Sequence, residues 1–430
     1  MIDRIFKIKE RDSTIKRELI GGITTFLTMA YIIFLHPNML AETGMDKNAL
    51  ITITCLGSFL GTIIVGIWAN VPFALAPGLG LNSFFTYSVV IGMGVDWQTA
   101  LGVVFISGIL FLVLTFSGFR EKIVDSIPIS LRLAVPVGIG LLITYVGLKN
   151  MGLIITNDAT LLRMGSITPT VILSLLGLTL IVLFEIKKVK ASILLGIFFI
   201  VIAGMVTGHV QVPKTFISTP PSIEPIFFKL NILHALSISM VGVIFSFLFV
   251  DLFDSVGTII ACSYEAGLVK KDGKIEKIDK ILGSDAVSTV AGSLLGTSTI
   301  TTYIESASGI SAGARTGLAS IVTGILFLVA PVFAPLIHIV PGYATAPALI
   351  IVGLYMFKNV QKIDFLDLEE SIPAFLTIII MPSTGSISTG LTFGFLSYIL
   401  VKILSGNLKD IPMVLWIIGL LSLINLIIGP

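Results

Sequence analysis

Two carboxylates sit where a carboxylate is expensive. Asp251 and Asp254 lie near the middle of residues 240–262, MVGVIFSFLFVDLFDSVGTIIAC, a run apolar and long enough to cross a bilayer. A charge at that depth costs about 2.5–3.5 kcal/mol on insertion scales. Residues three apart share one face of a helix, so this face should turn from lipid towards a cavity or polar partners. An acid inside a span is a functional-site hypothesis; acceptance of hydrogen bonds from neighbouring helices is the structural alternative. The other deep polar residues are Asn82, within residues 72–95, and Glu305, within residues 292–313. A buried carboxylate can hold and release a proton, and it can accept hydrogen bonds from a ligand with adjacent N–H donors. Asn82 offers both a donor and an acceptor. Phe84, Phe85, Phe247 and Phe249 are near in sequence and could form a stacking wall, although plain helix packing uses phenylalanine in the same way. The ligand that suits this set is flat, neutral and rich in N–H donors, and it would move with a proton. A sodium ion also suits carboxylates and unwound carbonyls.

The elements that must position these residues follow from hydropathy. Of 430 residues, 55% are hydrophobic and 12% charged, against roughly 25% charged in soluble domains. The chain reads as an all-α polytopic membrane protein. Its net charge of +2 gives no reason to expect a nucleic-acid partner. Cys55 and Cys262 provide neither a disulfide framework nor metal-ligand spacing, and no cofactor motif is evident. His36, His209, His234 and His338 fall singly at segment ends and read as interfacial side chains. Residues 1–18 are charged and lack a small-residue cleavage site, so the first span should insert and stay. Span length marks fourteen segments, at about 19–38, 50–70, 72–95, 97–117, 131–148, 168–185, 190–208, 232–262, 281–296, 298–314, 316–340, 343–357, 371–386 and 387–405. Residues 413–429 form a fifteenth span or a helix in the interface.

Basic residues orient the spans. Arg4, Lys7, Lys9, Arg11, Lys16 and Arg17 place the N-terminus in the cytoplasm. Alternation then puts Arg120 and Lys122 inside, with Lys187, Lys188 and Lys190, then Lys270, Lys271, Lys274, Lys277 and Lys280, then Lys358, Lys362 and Lys402. The proline-rich connection after the seventh span is outside and holds only Lys214 and Lys229. These runs read as topology signals and lipid-headgroup contacts.

Two spans are interrupted. Residues 72–95 open with two prolines and Gly78-Leu79-Gly80 before the helix that carries Asn82. Residues 292–313 run from Gly296 through Thr297, Ser298, Thr299 and a β-branched stretch to Glu305. Irregular backbone at membrane depth is tolerated only where protein or a cavity surrounds it. Paired interrupted spans in corresponding halves point to a transporter binding site. The halves do correspond, for these are the third and tenth spans. The fifth, PVGIGLLITYVGLKN, matches the twelfth, PALIIVGLYMFKN. The seventh resembles the fourteenth, and the first the eighth. Seven spans per repeat is odd, so the second repeat is inverted about an axis in the membrane plane. Half-helix N-termini, Asn82 and the three acids should then surround one pocket near the midplane.

At this point the residues resemble a family. Ala76-Pro77-Gly78-Leu79-Gly80-Leu81-Asn82-Ser83-Phe84-Phe85, Phe249-Val250-Asp251-Leu252-Phe253-Asp254-Ser255-Val256-Gly257-Thr258, the run Gly296 to Ser306, and Ala344-Thr345-Ala346-Pro347-Ala348-Leu349-Ile350-Ile351-Val352-Gly353 are similar to the third, eighth, tenth and twelfth spans of the adenine/guanine/hypoxanthine permeases. These form the purine branch of the nucleobase–cation symporter 2 family. The opening Gly22 to Tyr31 fits as well. The chain departs from that branch at Ser383 to Gly390, where an acidic residue near Thr389 is usual. The resemblance implies a seven-plus-seven inverted-repeat fold, with short strands in the third and tenth spans and substrate at their junction. It implies a cytoplasmic N-terminal segment 1–18, a core domain from 19–130 and 231–341, a gate domain from 131–230 and 342–410, and an apolar C-terminal segment 411–430. It implies that Asp251 and Glu305 contact a purine nucleobase with Asn82 close by, and that Asp254 serves coupling or supports the site; Phe249, from the stacking wall, is a further substrate-binding candidate. Glu305 is also a candidate for coupling. Gly78, Gly80, Thr297, Ser298 and Thr299 supply broken-helix backbone. The resemblance further implies elevator-like motion of core against gate and homodimers, in the cytoplasmic membrane; the proton, in preference to sodium, is the coupling ion that the buried carboxylates suit.

Two other classes compete with this reading. An anion transporter on the same architecture would want positive helix ends without Asp251, Asp254 and Glu305 facing them; a carrier of another small solute is separated only by the resemblance. An intramembrane enzyme is disfavoured. Gly309-Ile310-Ser311-Ala312-Gly313 fits G-x-S-x-G but ends a short span without a nearby histidine. A protease dyad would also place its acids on different helices, whereas Asp251 and Asp254 share one.

Overall fold

The computed structural model describes residues 2–117, 126–157, 159–270 and 274–428. Arg120, Lys122 and Lys271 lie outside the described residues. Nine helices among those described are long and apolar enough to cross a membrane. The remaining expected spans fall short for visible reasons. The third and tenth are broken, and Ser192–Val206 has 15 residues. Leu368–Thr384 has 17 residues and opens on Glu369 and Glu370, and Ile278–Leu295 carries Asp279, Lys280 and Asp285. A further helix, Met413–Ile428, forms the tail.

The chain divides into two compact units. The first comprises Met1–Gly78, Val146–Lys229 and Ser255–Leu349. In it, Gly317–Val329 packs on both Lys47–Trp68 and Ile15–Met29, and Ile278–Leu295 packs on Lys47–Trp68. Small residues allow this approach, as they do in membrane bundles generally. A Cβ on Gly317 would lie 1.9 Å from the Gly66 carbonyl oxygen. Val65, Phe73, Leu75, Ile259, Ile281 and Ile300 share one buried cluster, to which both interrupted spans contribute.

Those spans meet as strands. Leu75–Pro77 pairs antiparallel with Ile300–Thr302, Ala76 facing Thr301. Pro72 and Pro77 bias the residues before them towards extended backbone, and Ile300, Thr301 and Thr302 are β-branched and favour it. The ladder extends symmetrically. Gly78 N–H donates to Thr299 O at 3.0 Å, and Tyr303 N–H donates to Ala74 O at 2.9 Å. Equivalent strands paired antiparallel are what a two-fold relation between repeats requires. Pairing also satisfies backbone that would otherwise be costly at this depth. A second antiparallel pair, Ile154–Asn157 with Leu161–Met164, occupies a connection that the hydropathy pattern left unassigned.

Gly296 ends Ile278–Leu295 with φ +103°. A Cβ there would meet Ile226 Cγ2 at 2.1 Å, so the position is closed to other residues by both backbone and space. Gly296→Ala should lower stability by about 1–3 kcal/mol from the backbone alone. Thermal melting of the detergent-purified protein checks this, and an unchanged midpoint would refute it.

The second unit comprises Leu79–Tyr145, Leu230–Asp254 and Ile350–Pro430. Leu368–Thr384 packs along Ile387–Leu404, which packs on Met413–Ile428. Lys402 corrects one expectation. It is not a headgroup contact but is largely buried, with Nζ 2.6 Å from Glu369 Oε2 and 3.9 Å from Glu370 Oε1. Glu370 in turn accepts from the Ser130 hydroxyl.

Candidate functional site

In the first unit, Glu305 follows the strand Ile300–Thr302 and stands at the start of the helix Ser306–Ser311. The Tyr31 hydroxyl donates to Glu305 Oε1 at 2.5 Å. Tyr31 lies at the break between Ile15–Met29 and Ile32–Ala41, where its side chain is buried. Two residues before Glu305, the Tyr303 hydroxyl donates to Pro77 O of the other interrupted span at 2.5 Å. Thr297, Ser298 and Thr299 are fully buried in the irregular stretch before the strand. Gly78 closes the ladder opposite Thr299. The structure thus gathers Gly78, Thr297, Ser298, Thr299 and Glu305 around one strand crossing.

The crossing also depends on residues that sequence reading missed. Asp285 is fully buried in Ile278–Leu295. Its Oδ1 accepts from Thr302 N–H at 2.8 Å and from the Thr302 hydroxyl at 3.1 Å. Its Oδ2 accepts from the Ser255 hydroxyl. The signal was available, since a lone acid inside a span carries the same cost as Asp251. His36 is a correction. It is fully buried rather than interfacial, with Nδ1 2.7 Å from Thr54 Oγ1 and Nε2 2.9 Å from Thr297 Oγ1. The helix Ile32–Ala41 continues past Pro37, so His36 lies within the first span and not at its end. His209 and His234 are exposed.

In the second unit, Asn82 and Gly80 are buried in the short helix Leu79–Ser83. Gly80 is therefore helical, and Gly78 alone of the two lies at the break. A Cβ on Gly80 would stand 3.0 Å from Ile139 Cγ2. The helix widens into a π-helical stretch, Phe84–Gly92, a form frequent at functional sites. Asp251 and Asp254 share the helix Val241–Glu265, with Asp251 buried and Asp254 half-buried. The Phe84 and Phe247 rings are 4.6 Å apart, which ties this helix to the one carrying Asn82. Phe249 is buried among Phe245, Phe253 and Phe395, at 4.4, 5.6 and 5.4 Å. Among the described residues no group of three or more His, Cys, Asp or Glu is placed to hold a metal ion.

A carboxylate accepts hydrogen bonds, and an amide both donates and accepts them. Comparison with known proteins gives the family. The family model Xan_ur_permease, described as "Permease family", matches residues 16–393. The adenine permease AdeP of Escherichia coli (strain K12) is 41% identical over 428 residues, covering 99% of this chain and 96% of that protein. The guanine/hypoxanthine permease PbuG of Bacillus subtilis (strain 168) is 43% identical over 423 residues, covering 96% of each. Among solved structures, the transmembrane domain of a cyanobacterium bicarbonate transporter, BicA, superposes with a TM-score of 0.65 over 88% of this chain and 96% of that one. At 14% identity that likeness is one of fold, the seven-plus-seven inverted-repeat transporter fold.

Proposed function

The chain belongs to the nucleobase–cation symporter 2 family, and from that premise we propose that it imports purine nucleobases, adenine, guanine and/or hypoxanthine, across the cytoplasmic membrane by proton symport. It is a multi-pass membrane transporter and not an enzyme. The observation that carries the substrate class is the end-to-end identity with permeases named for these purines. The site chemistry supports it. Purines present ring and exocyclic N–H groups, and carboxylates are the strongest acceptors a side chain offers.

In this reading Glu305 and Asp251 accept hydrogen bonds from the base, Asn82 stands close by, and Phe249 supports the aromatic wall. Asp254 serves proton coupling or holds the site, and Glu305 is a second candidate for the proton. Residues 19–130 and 231–341 act as a core that moves, elevator-like, against a gate of 131–230 and 342–410. The N-terminus is cytoplasmic, and the transporter works as a homodimer. An anion substrate is the second reading, raised by the fold shared with BicA, and the three acids oppose it.

Uptake of radiolabelled adenine, guanine, hypoxanthine, xanthine and uracil by cells expressing the chain tests this directly. Saturable purine uptake that collapses with a protonophore is expected. Uptake that follows a sodium gradient and ignores the protonophore would replace the proton by sodium. No purine uptake by correctly inserted protein would overturn the substrate class.

A further inference from the structure

The first span grips the interrupted tenth span at two points, and we infer that Tyr31 and His36 are positioning residues that hold Glu305 in its working place. This rests on the reading of Glu305 as a substrate contact.

The first grip is direct, Tyr31 Oη on Glu305 Oε1 at 2.5 Å. The second works at the other end of the same segment, and its direction can be assigned by counting protons. Thr54 Oγ1 donates its single proton to Leu50 O at 2.6 Å, so towards His36 it can only accept. The His36 proton therefore sits on Nδ1, 2.7 Å from Thr54 Oγ1. Nε2 is then an acceptor, and the Thr297 hydroxyl, 2.9 Å away, donates to it. The result is a one-way chain from Thr297 through His36 and Thr54 to Leu50, with one tautomer of the imidazole fixed.

Thr297 is the first residue after Gly296, and its N–H is bound to Gly292 O at 2.9 Å. From there the chain runs through the strand Ile300–Thr302 to Glu305. His36 fixes where this segment starts and Tyr31 fixes where its carboxylate ends. Both come from one stretch of the first span, on either side of the turn into Ile32–Ala41. Tyr31, His36, Thr54 and Thr297 are all buried, so water offers no replacement for a lost link.

The test uses the full chain in lipid nanodiscs and in cells, with Tyr31→Phe, Thr297→Val and Thr54→Val. Two quantities are read: amide hydrogen exchange over residues 297–306 without ligand, and KM against Vmax for whichever purine the wild type takes up. Loss of one link should speed exchange and raise KM by about 5- to 10-fold each in Tyr31→Phe and Thr297→Val, the worth of a buried hydrogen bond. Vmax should stay within about twofold, as expected when binding alone is weakened. Thr54→Val separates positioning from mere stabilisation. Without Thr54 the imidazole can take its other tautomer and donate from Nε2 to Thr297, so KM should hold while the melting temperature falls. Unchanged exchange in Tyr31→Phe and Thr297→Val would overturn the inference whatever the substrate, as would a KM rise in Thr54→Val equal to that in Thr297→Val. Faster exchange in the two variants of a chain that takes up no purine would leave the two grips standing and overturn the substrate reading instead.

Discussion

Replacement of Glu305 by glutamine should cut purine uptake by about 10- to 100-fold, the range that a hydrogen bond to a charged acceptor is worth when converted to binding. The substitution keeps side-chain length, and the amide oxygen can still accept from the Tyr31 hydroxyl. Folding should therefore be little affected, and the loss falls on what the carboxylate alone supplies. That is a charge-assisted acceptor for a base N–H, together with a group able to carry a proton. The loss should exceed that of Tyr31→Phe, which leaves the carboxylate present and removes only its support. Initial uptake rates, normalised to inserted protein and read beside a melting curve, decide the matter. Uptake within about twofold of wild type would remove Glu305 from the site, since even a neutral hydrogen bond is worth more than that.

The architecture was legible because membrane depth makes rules strict. Proline and glycine clusters inside apolar runs had to be breaks, and residues 75–77 and 300–302 are strands where those breaks were expected. Glu305 and Asn82 stand just beyond them, on the short helices that follow. What escaped has a common cause. Sequence reading ranks a polar residue by how isolated it looks in its own span, whereas its role is set by partners on other elements, tens to hundreds of positions away. His36 beside Pro37 looked like the end of a helix. Its meaning depends on Thr54 and Thr297, which apolar periodicity cannot pair with it. Gly80 looked like a break because Gly78 is one; its place inside a helix against Ile139 is a packing fact. Lys402 looked like a topology signal, and charge counting cannot see that Glu369 and Glu370 open the preceding helix beside it. The hairpin Ile154–Asn157 with Leu161–Met164 was missed for a different reason. Its second strand is exposed along its length, so it carries no alternation to detect.

The second large effect is expected at Asp285, and it separates a structural acid from a substrate-binding one. Asp285 accepts from the Thr302 N–H, the Thr302 hydroxyl and the Ser255 hydroxyl. Asp285→Leu leaves all three without their acceptor in a dry interior, at about 1–3 kcal/mol for each group that stays unpaired. The two hydroxyls can rotate to other acceptors, but a backbone N–H cannot, so the Thr302 amide sets the minimum loss. Asp285→Asn is milder. Its oxygen can keep both Thr302 bonds, and its amide can donate to Ser255, whose hydroxyl turns to accept. The expected order of melting temperatures is therefore wild type, then Asn, then Leu, with the Leu variant losing folded protein altogether if the two-stranded crossing depends on this acid. For the Asn variant, KM should change less than in Glu305→Gln, because Asp285 holds the strand and Glu305 is placed against the ligand. A reversed order, with Asp285→Asn folding normally but losing uptake as severely as Glu305→Gln, would move Asp285 from the scaffold into the site itself.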